Sequence, residues 1–253
     1  MLTTLKNGRL TVTADTRGAE LQTIDKDGGP SYLWSGDPAF WAFHAPTLFP
    51  IIGALRGGRA LSAGGEISLP KHGFCRTAEF ALEDAGDTFV TYRLTDSDAT
   101  RKGYPFAFCL RVRYTLEGDS VETRYTVTNR SEQDMPFFIG GHPAFRVPLS
   151  EGETLEDYLV EFPEKETLDC PQVELGSGLI MDTVRNRFLT DRSSFALNHV
   201  LFRGDALIFD DLLIVAQRET NCFVLKSSEG LIVIDAIWPS KPAFDAITAA
   251  IRD

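Results

Sequence analysis

The sequence predicts a mainly β protein, built as a large antiparallel sandwich. Three observations carry that expectation. Apolar and polar residues alternate with a period of two through much of the chain, the spacing that sends successive side chains to opposite faces of a strand. Turns containing Gly, Asn or Pro punctuate these runs at short intervals. Helical periodicity is scarce before residue 239. Many short strands joined by tight turns bury their apolar faces by stacking as sheets around a shared core.

Taken in order, Asn7-Gly8 is the first hairpin signal, because the favoured two-residue turns need left-handed backbone that Asn and Gly tolerate. Gly64-Gly65, between Ala60 and Leu69, is a second. The clearest hairpin lies mid-chain. Phe108, Leu110, Val112, Tyr114 and Leu116 face one way, while Arg111, Arg113, Thr115 and Glu117 face the other. After Gly118-Asp119, Val121, Thr123, Tyr125 and Val127 alternate with Glu122, Arg124 and Thr126. Met135 to Ile139 is apolar and reads as a strand leading into Gly140-Gly141. Leu212 to Ala216 and Leu231 to Ile234 are further strands. Behind Ser240 as N-cap, Phe244, Ile247 and Ile251 recur at helical spacing, so a short C-terminal helix is expected. No repeat, low-complexity linker or boundary divides residues 1–212, and residues 1–253 read as a single domain.

Composition narrows the function. The chain is 43% apolar with 18 Phe over 253 residues, enough to bury a sizeable core. Its net charge of −11 and scattered basic residues argue against nucleic acid or an anionic membrane surface as partner. A neutral, polyhydroxylated ligand is compatible with that balance. Cys75, Cys109, Cys170 and Cys222 show no C-x-x-C spacing and read as reduced, mostly buried thiols. The Met1–Lys6 start lacks the basic and apolar regions of a signal peptide. No apolar run approaches the roughly 18 residues that span a bilayer. The expectation is a cytoplasmic protein without a membrane partner.

Two histidines beside glycines stand out. His142 follows Gly140-Gly141 and precedes Pro143, which ends strand pairing. An exposed histidine at a glycine-rich strand end suits general acid work. The alternative is a histidine packed at a bulge. His72 follows Pro70 and precedes Gly73, where the backbone can turn tightly and present the imidazole. Arg76 lies four residues on, on the same face in an extended chain, and the two would make a hydroxyl-binding pair. A loop histidine capping a backbone carbonyl is the alternative there. His44, in the aromatic stretch Trp41 to Pro46, fits core packing better than sugar stacking. No H-x-H or H-E-x-x-H spacing is present, so no metal site is expected.

These residues, with others, resemble the aldose 1-epimerases, the galactose mutarotase-like family. The matching pieces run in order: Gly18-Ala19-Glu20-Leu21, Trp34 to Pro38 with Phe40-Trp41, His44-Ala45-Pro46 to Leu48-Phe49-Pro50, and Gly53. They continue with His72-Gly73-Phe74-Cys75-Arg76, Thr128-Asn129, Met135-Pro136-Phe137, Gly140 to Phe145 and Asp205 to Phe209. Cys75 departs from the usual Ala. The resemblance covers about residues 1–212 and implies a supersandwich of antiparallel sheets with a carbohydrate cleft. It also implies interconversion of the α and β anomers of a free aldose, such as galactose or glucose, through the open-chain sugar, with no cofactor. A base takes the C1 hydroxyl proton while an acid protonates the ring oxygen. By resemblance His142 is that acid, His72 polarises or orients the same oxygen, and Arg76, Arg56 and Asp205 hold hydroxyl groups.

The base of the family is a glutamate near the C-terminus, and this sequence has no Glu after Glu229. One alignment of the end places Thr248 at that position, with Asp245 the nearest carboxylate. Residues 213–253 form an atypical segment. Its pieces Asn221 to Leu225, Glu229 to Asp235 and Trp238-Pro239 resemble the opening strands of a metallo-β-lactamase-like hydrolase, as in a fusion. Losing a positioned base costs about 10²–10⁴-fold in rate. Two functions therefore follow: a mutarotase whose catalysis is impaired, or a non-catalytic carbohydrate-binding module on the same fold.

Overall fold

The computed structural model describes residues 1–174, 176–177, 179–201, 223–227 and 230–234. Its first strands, β1 (Leu2–Lys6), β2 (Leu10–Asp15) and β3 (Glu20–Lys26), form an antiparallel meander. The Asn7-Gly8 turn joins the first two as expected. Gly8 has a φ of 81°, and the Asn7 side-chain oxygen accepts the N–H groups of Arg9 and Leu10. A two-residue strand, β4 (Thr47–Leu48), follows, and then the hairpin of β5 (Arg59–Ser62) and β6 (Gly65–Ser68). Ser62 pairs with Gly65, so the turn is Ala63-Gly64, one residue earlier than Gly64-Gly65.

Next come β7 (Ala81–Ala85), β8 (Phe89–Thr95), β9 (Phe108–Glu117) and β10 (Ser120–Asn129). They make one sheet in the order β10-β9-β8-β7. The β9 bounds are those the alternation marked, and its apolar set from Phe108 to Leu116 is buried while Arg111, Arg113 and Thr115 are less so. A single α-helical turn, Asp98–Arg101, separates β8 from β9, in keeping with the scarcity of helical periodicity. Beyond it lie β11 (Gly140–Gly141), β12 (Leu159–Glu166), β13 (Asp169–Glu174), β14 (Leu179–Arg187), β15 (Arg192–Ala196), and the hairpin β16 (Phe223–Ser227) with β17 (Gly230–Ile234). β12 pairs with β15, and β13 with β14. The expected strand over Leu231 to Ile234 is present. The strand over Leu212 to Ala216 and the C-terminal helix lie outside the described residues.

Two sheets share the main core. Leu5, Leu10, Val12, Ala14 and Leu21 from β1–β3 pack with Val90, Tyr92, Leu110, Val112 and Tyr114 from β8 and β9. The buried tyrosines also tie the sheets by hydrogen bonds. Tyr92 Oη donates to the Ala14 carbonyl at 3.0 Å, and Tyr114 Oη to that of Ala19 at 2.6 Å. Burial pushes the Tyr114 hydroxyl pKa well up, and the nearby Glu20 carboxylate adds to the rise, so both hydroxyls act as neutral donors. An aromatic hub closes one end of the core, where Phe49 contacts Phe74, Tyr104, Phe108 and Phe137 with ring centroids 5.3 to 6.2 Å apart. Cys75 and Cys109 are buried free thiols.

The stretch from Met135 to Ile139 differs from expectation. Among the described residues it joins no ladder, and only Gly140–Gly141 pairs, with Thr47–Leu48. Pro136 has no N–H to give a ladder, and its carbonyl takes the Tyr104 hydroxyl instead. Among the described residues no helix is long and apolar enough to cross a membrane.

Candidate active site

His142 is placed by a short ladder between two distant segments. Gly140 and Gly141 pair with Leu48 and Thr47. Beyond them the His142 N–H donates to the Pro46 carbonyl at 3.0 Å, and the Ala144 N–H to the His44 carbonyl at 2.8 Å. The Ala144 carbonyl in turn accepts the Trp34 N–H at 2.8 Å. Residues 44–48 and 140–144 thus run side by side and deliver His142 to the surface, where its side chain is exposed. Gly141 has a packing reason, since a Cβ there would stand 3.2 Å from the Tyr125 hydroxyl.

His72 reaches the same place from another loop. Its N–H donates to the Gly53 carbonyl at 2.7 Å, and the Gly53 N–H donates back to His72 Nδ1 at 3.1 Å. Nδ1 therefore carries no proton in this geometry, and the neutral ring holds its proton on Nε2. The imidazole thus caps a backbone N–H, not the backbone carbonyl of the alternative reading. Gly73 makes the bend. At φ 69°, a Cβ would lie 2.3 Å from the Phe49 carbonyl oxygen, so no larger residue fits without moving backbone.

The two imidazoles meet edge to face, with ring centroids 6.0 Å apart. The Trp41 indole lies 5.1 Å from the His142 ring and 5.7 Å from that of Phe43. The Arg76 guanidinium sits over Phe43 at 5.1 Å. One continuous rim therefore runs His72, His142, Trp41, Phe43, Arg76. Its members come from three separate stretches of sequence.

Several expectations change. Residues 72–76 are not extended: His72 has a φ of 68°, and Cys75–Thr77 is a 3-10 turn. The same-face spacing of His72 and Arg76 therefore does not apply, and Arg76 reaches the rim by stacking on Phe43. The stretch from Trp41 to Pro46 is only partly core. Ala45 and Pro46 are buried, and His44 is half-buried against Gly36, where a Cβ would stand 2.4 Å from the ring; Trp41 and Phe43 are also half-buried and belong to the rim. Trp41 was not singled out by sequence, because nothing local in Trp41-Ala42-Phe43 shows that it will lie beside residue 142. Arg56 is exposed on a 3-10 turn three residues beyond Gly53. Asp205, Asp245 and Thr248 lie outside the described residues.

Comparison with known proteins places this architecture. The aldose 1-epimerase family model matches residues 1–235. The plasmid and chromosomal LacX proteins of Lactococcus lactis subsp. lactis are each 40% identical over 235 residues, covering 90% of this chain and 78% of theirs. Among solved structures, a galactose mutarotase related enzyme from Lactobacillus acidophilus superposes with a TM-score of 0.76 at 35% identity, covering 83% of this chain and 69% of that one. A galactose mutarotase-like protein from Lactobacillus casei gives 0.71 at 32%, covering 83% and 71%. The fold is that of the galactose mutarotase-like proteins. The chain belongs to the aldose 1-epimerase family. The match runs past residue 212 and takes in β16 and β17.

Proposed function

We propose that this protein is a mutarotase, interconverting the α and β anomers of a free aldose such as galactose or glucose by acid–base ring opening. The observation that carries this is the meeting of His72 and His142 with ring centroids 6.0 Å apart on an open rim. Nitrogens on two rings this close can both reach one oxygen by hydrogen bonds of about 2.9 Å. A pyranose ring oxygen set between the imidazoles is polarised by His72 Nε2–H and protonated by His142 as the C1–O5 bond opens. Rotation about C1–C2 and the reverse steps give the other anomer. The Trp41 face offers an apolar surface for sugar C–H groups. Arg76, Arg56 and Asp205 hold hydroxyl groups, a carboxylate takes the C1 hydroxyl proton, and no cofactor takes part.

Polarimetry of freshly dissolved α-glucose and α-galactose tests the reading. Purified protein is expected to accelerate the approach to equilibrium, and His142→Ala to lower that rate about 10²–10⁴-fold. A folded protein that binds sugar but leaves the optical rotation to relax at its spontaneous rate would overturn it in favour of a carbohydrate-binding module. Asp245→Asn in the active protein then shows whether that carboxylate is the base.

A further inference from the structure

The Glu20 carboxylate is buried, only 6% exposed, and the chemistry above does not use it. It is held by neutral N–H donors. Oε1 accepts the backbone N–H of His44 at 2.6 Å and that of Ala45 at 3.0 Å. Oε2 accepts the Gln22 amide at 3.3 Å. A carboxylate removed from water is costly unless such donors replace its hydration. Its place in this protein therefore calls for a use.

The use follows from what the clamped segment does next. The His44 and Pro46 carbonyls accept the N–H groups of Ala144 and His142, at 2.8 and 3.0 Å. One Glu20 oxygen thus fixes one side of residues 44–46, and the other side fixes the backbone that carries His142. Residues 44 and 45 form a bend ahead of β4, and their two successive N–H groups converge on the one Glu20 oxygen that accepts them. We infer that Glu20 is a positioning residue for His142, acting through the His44–Pro46 backbone; this rests on His142 being the acid. Reach matters more than charge in this arrangement. Gln keeps one oxygen for both peptide N–H groups, whereas Asp keeps the charge but is one methylene too short. Ala leaves both N–H groups without an acceptor.

Kinetics and NMR together test it. Glu20→Ala and Glu20→Asp are expected to lower kcat for mutarotation about 10²-fold with a smaller change in KM, as for a misplaced catalytic group. Glu20→Gln is expected to restore kcat to within about tenfold of wild type. In a His142→Ala background, Glu20→Ala should cost nothing further, because both changes remove the same function. Independently of activity, the His142 imidazole resonance, assigned by its loss in His142→Ala, should move in Glu20→Asp and stay in Glu20→Gln. An unmoved His142 signal in folded Glu20→Asp, or a full additional loss in the double variant, would overturn the role. If wild type fails to accelerate mutarotation, the mutarotase reading falls and the NMR comparison still decides for or against Glu20. Should Glu20→Ala not fold, the Asp and Gln variants carry both measurements.

Discussion

His72 adopts a φ of 68°, a region that costs an L-residue with a Cβ about 1–2 kcal/mol. The Gly53 backbone holds it there through two hydrogen bonds. Strain kept at a polar loop in this way is what a functional side chain imposes on its backbone. The consequence can be separated from the loss of the imidazole. His72→Gly and His72→Ala both remove the ring, but only Ala keeps the strain. Thermal or urea unfolding should show His72→Gly more stable than His72→Ala by about 1 kcal/mol, while both lose mutarotation alike. Equal stabilities would mean that the left-handed backbone is not held in solution. At this scale the sequence showed the chemistry-bearing residues, since His72-Gly73 and Gly140-Gly141-His142 are legible as turn and strand-end motifs. The reason for each glycine was not, because Phe49 and Tyr125, which crowd Gly73 and Gly141, are distant in sequence.

The four-stranded sheet carries a charge arrangement with a testable pH dependence. Arg93 of β8 and Arg111 of β9 are direct cross-strand neighbours, a repulsive pairing. Glu83 of β7 answers both, bonding Arg111 Nε and NH2 at 2.6 and 3.0 Å and lying 3.6 Å from Arg93. Its hydrogen bonds with Arg111, and then the positive charge of both arginines, hold the Glu83 carboxyl below the usual carboxylate range against the opposing effect of burial. A carboxyl pKa lowered by folding adds stability that is complete above the unfolded value of about 4.3 and is lost as the pH falls through the lower folded value. Because these side chains are partly open to water, the expected size is modest. Glu83→Gln should cost about 1 kcal/mol or less at pH 7, and the difference from wild type should shrink as the pH falls through the lowered folded value. A gap that persists at acid pH would assign the loss to packing instead. The hairpin of β9 and β10 was legible to the residue, because one buried and one solvated face impose strict alternation. Met135 to Ile139 was misread, since an apolar run with a proline can be buried by side-chain contacts without joining a ladder.

Across the whole molecule, burial divides unevenly. The main cluster spans β1–β3, β6 and β8–β10, together with the loops that hold Phe49, Phe74 and Ile139. A second cluster, Phe162, Leu168 and Leu189 with Val160, Phe188 and Phe195 around it, belongs to β12, β15 and their connections. Leu168 is fully buried there, and Leu168→Ala should cost about 2–5 kcal/mol locally. Hydrogen exchange should then rise in β12 and β15 while β9 and the mutarotation rate of the folded protein stay as in wild type. Loss of activity in step with that exchange would show instead that this layer supports the rim. Most of the rim members come from the loops around the main cluster.

The sequence by itself determined the β class, the principal hairpins, the two candidate histidines and the family resemblance. These rest on local spacing, turn chemistry and short motifs, which survive without knowledge of long-range contacts. Only the tertiary structure decided that residues 44–48 run beside 140–144, that the His72 ring meets that of His142, and that Trp41 and Arg76 complete the rim. It also decided that Glu20 braces the ladder from behind. Each of these is a pairing across many residues, set by which backbone groups remain unsatisfied once the sheets have packed, and no local pattern encodes that choice.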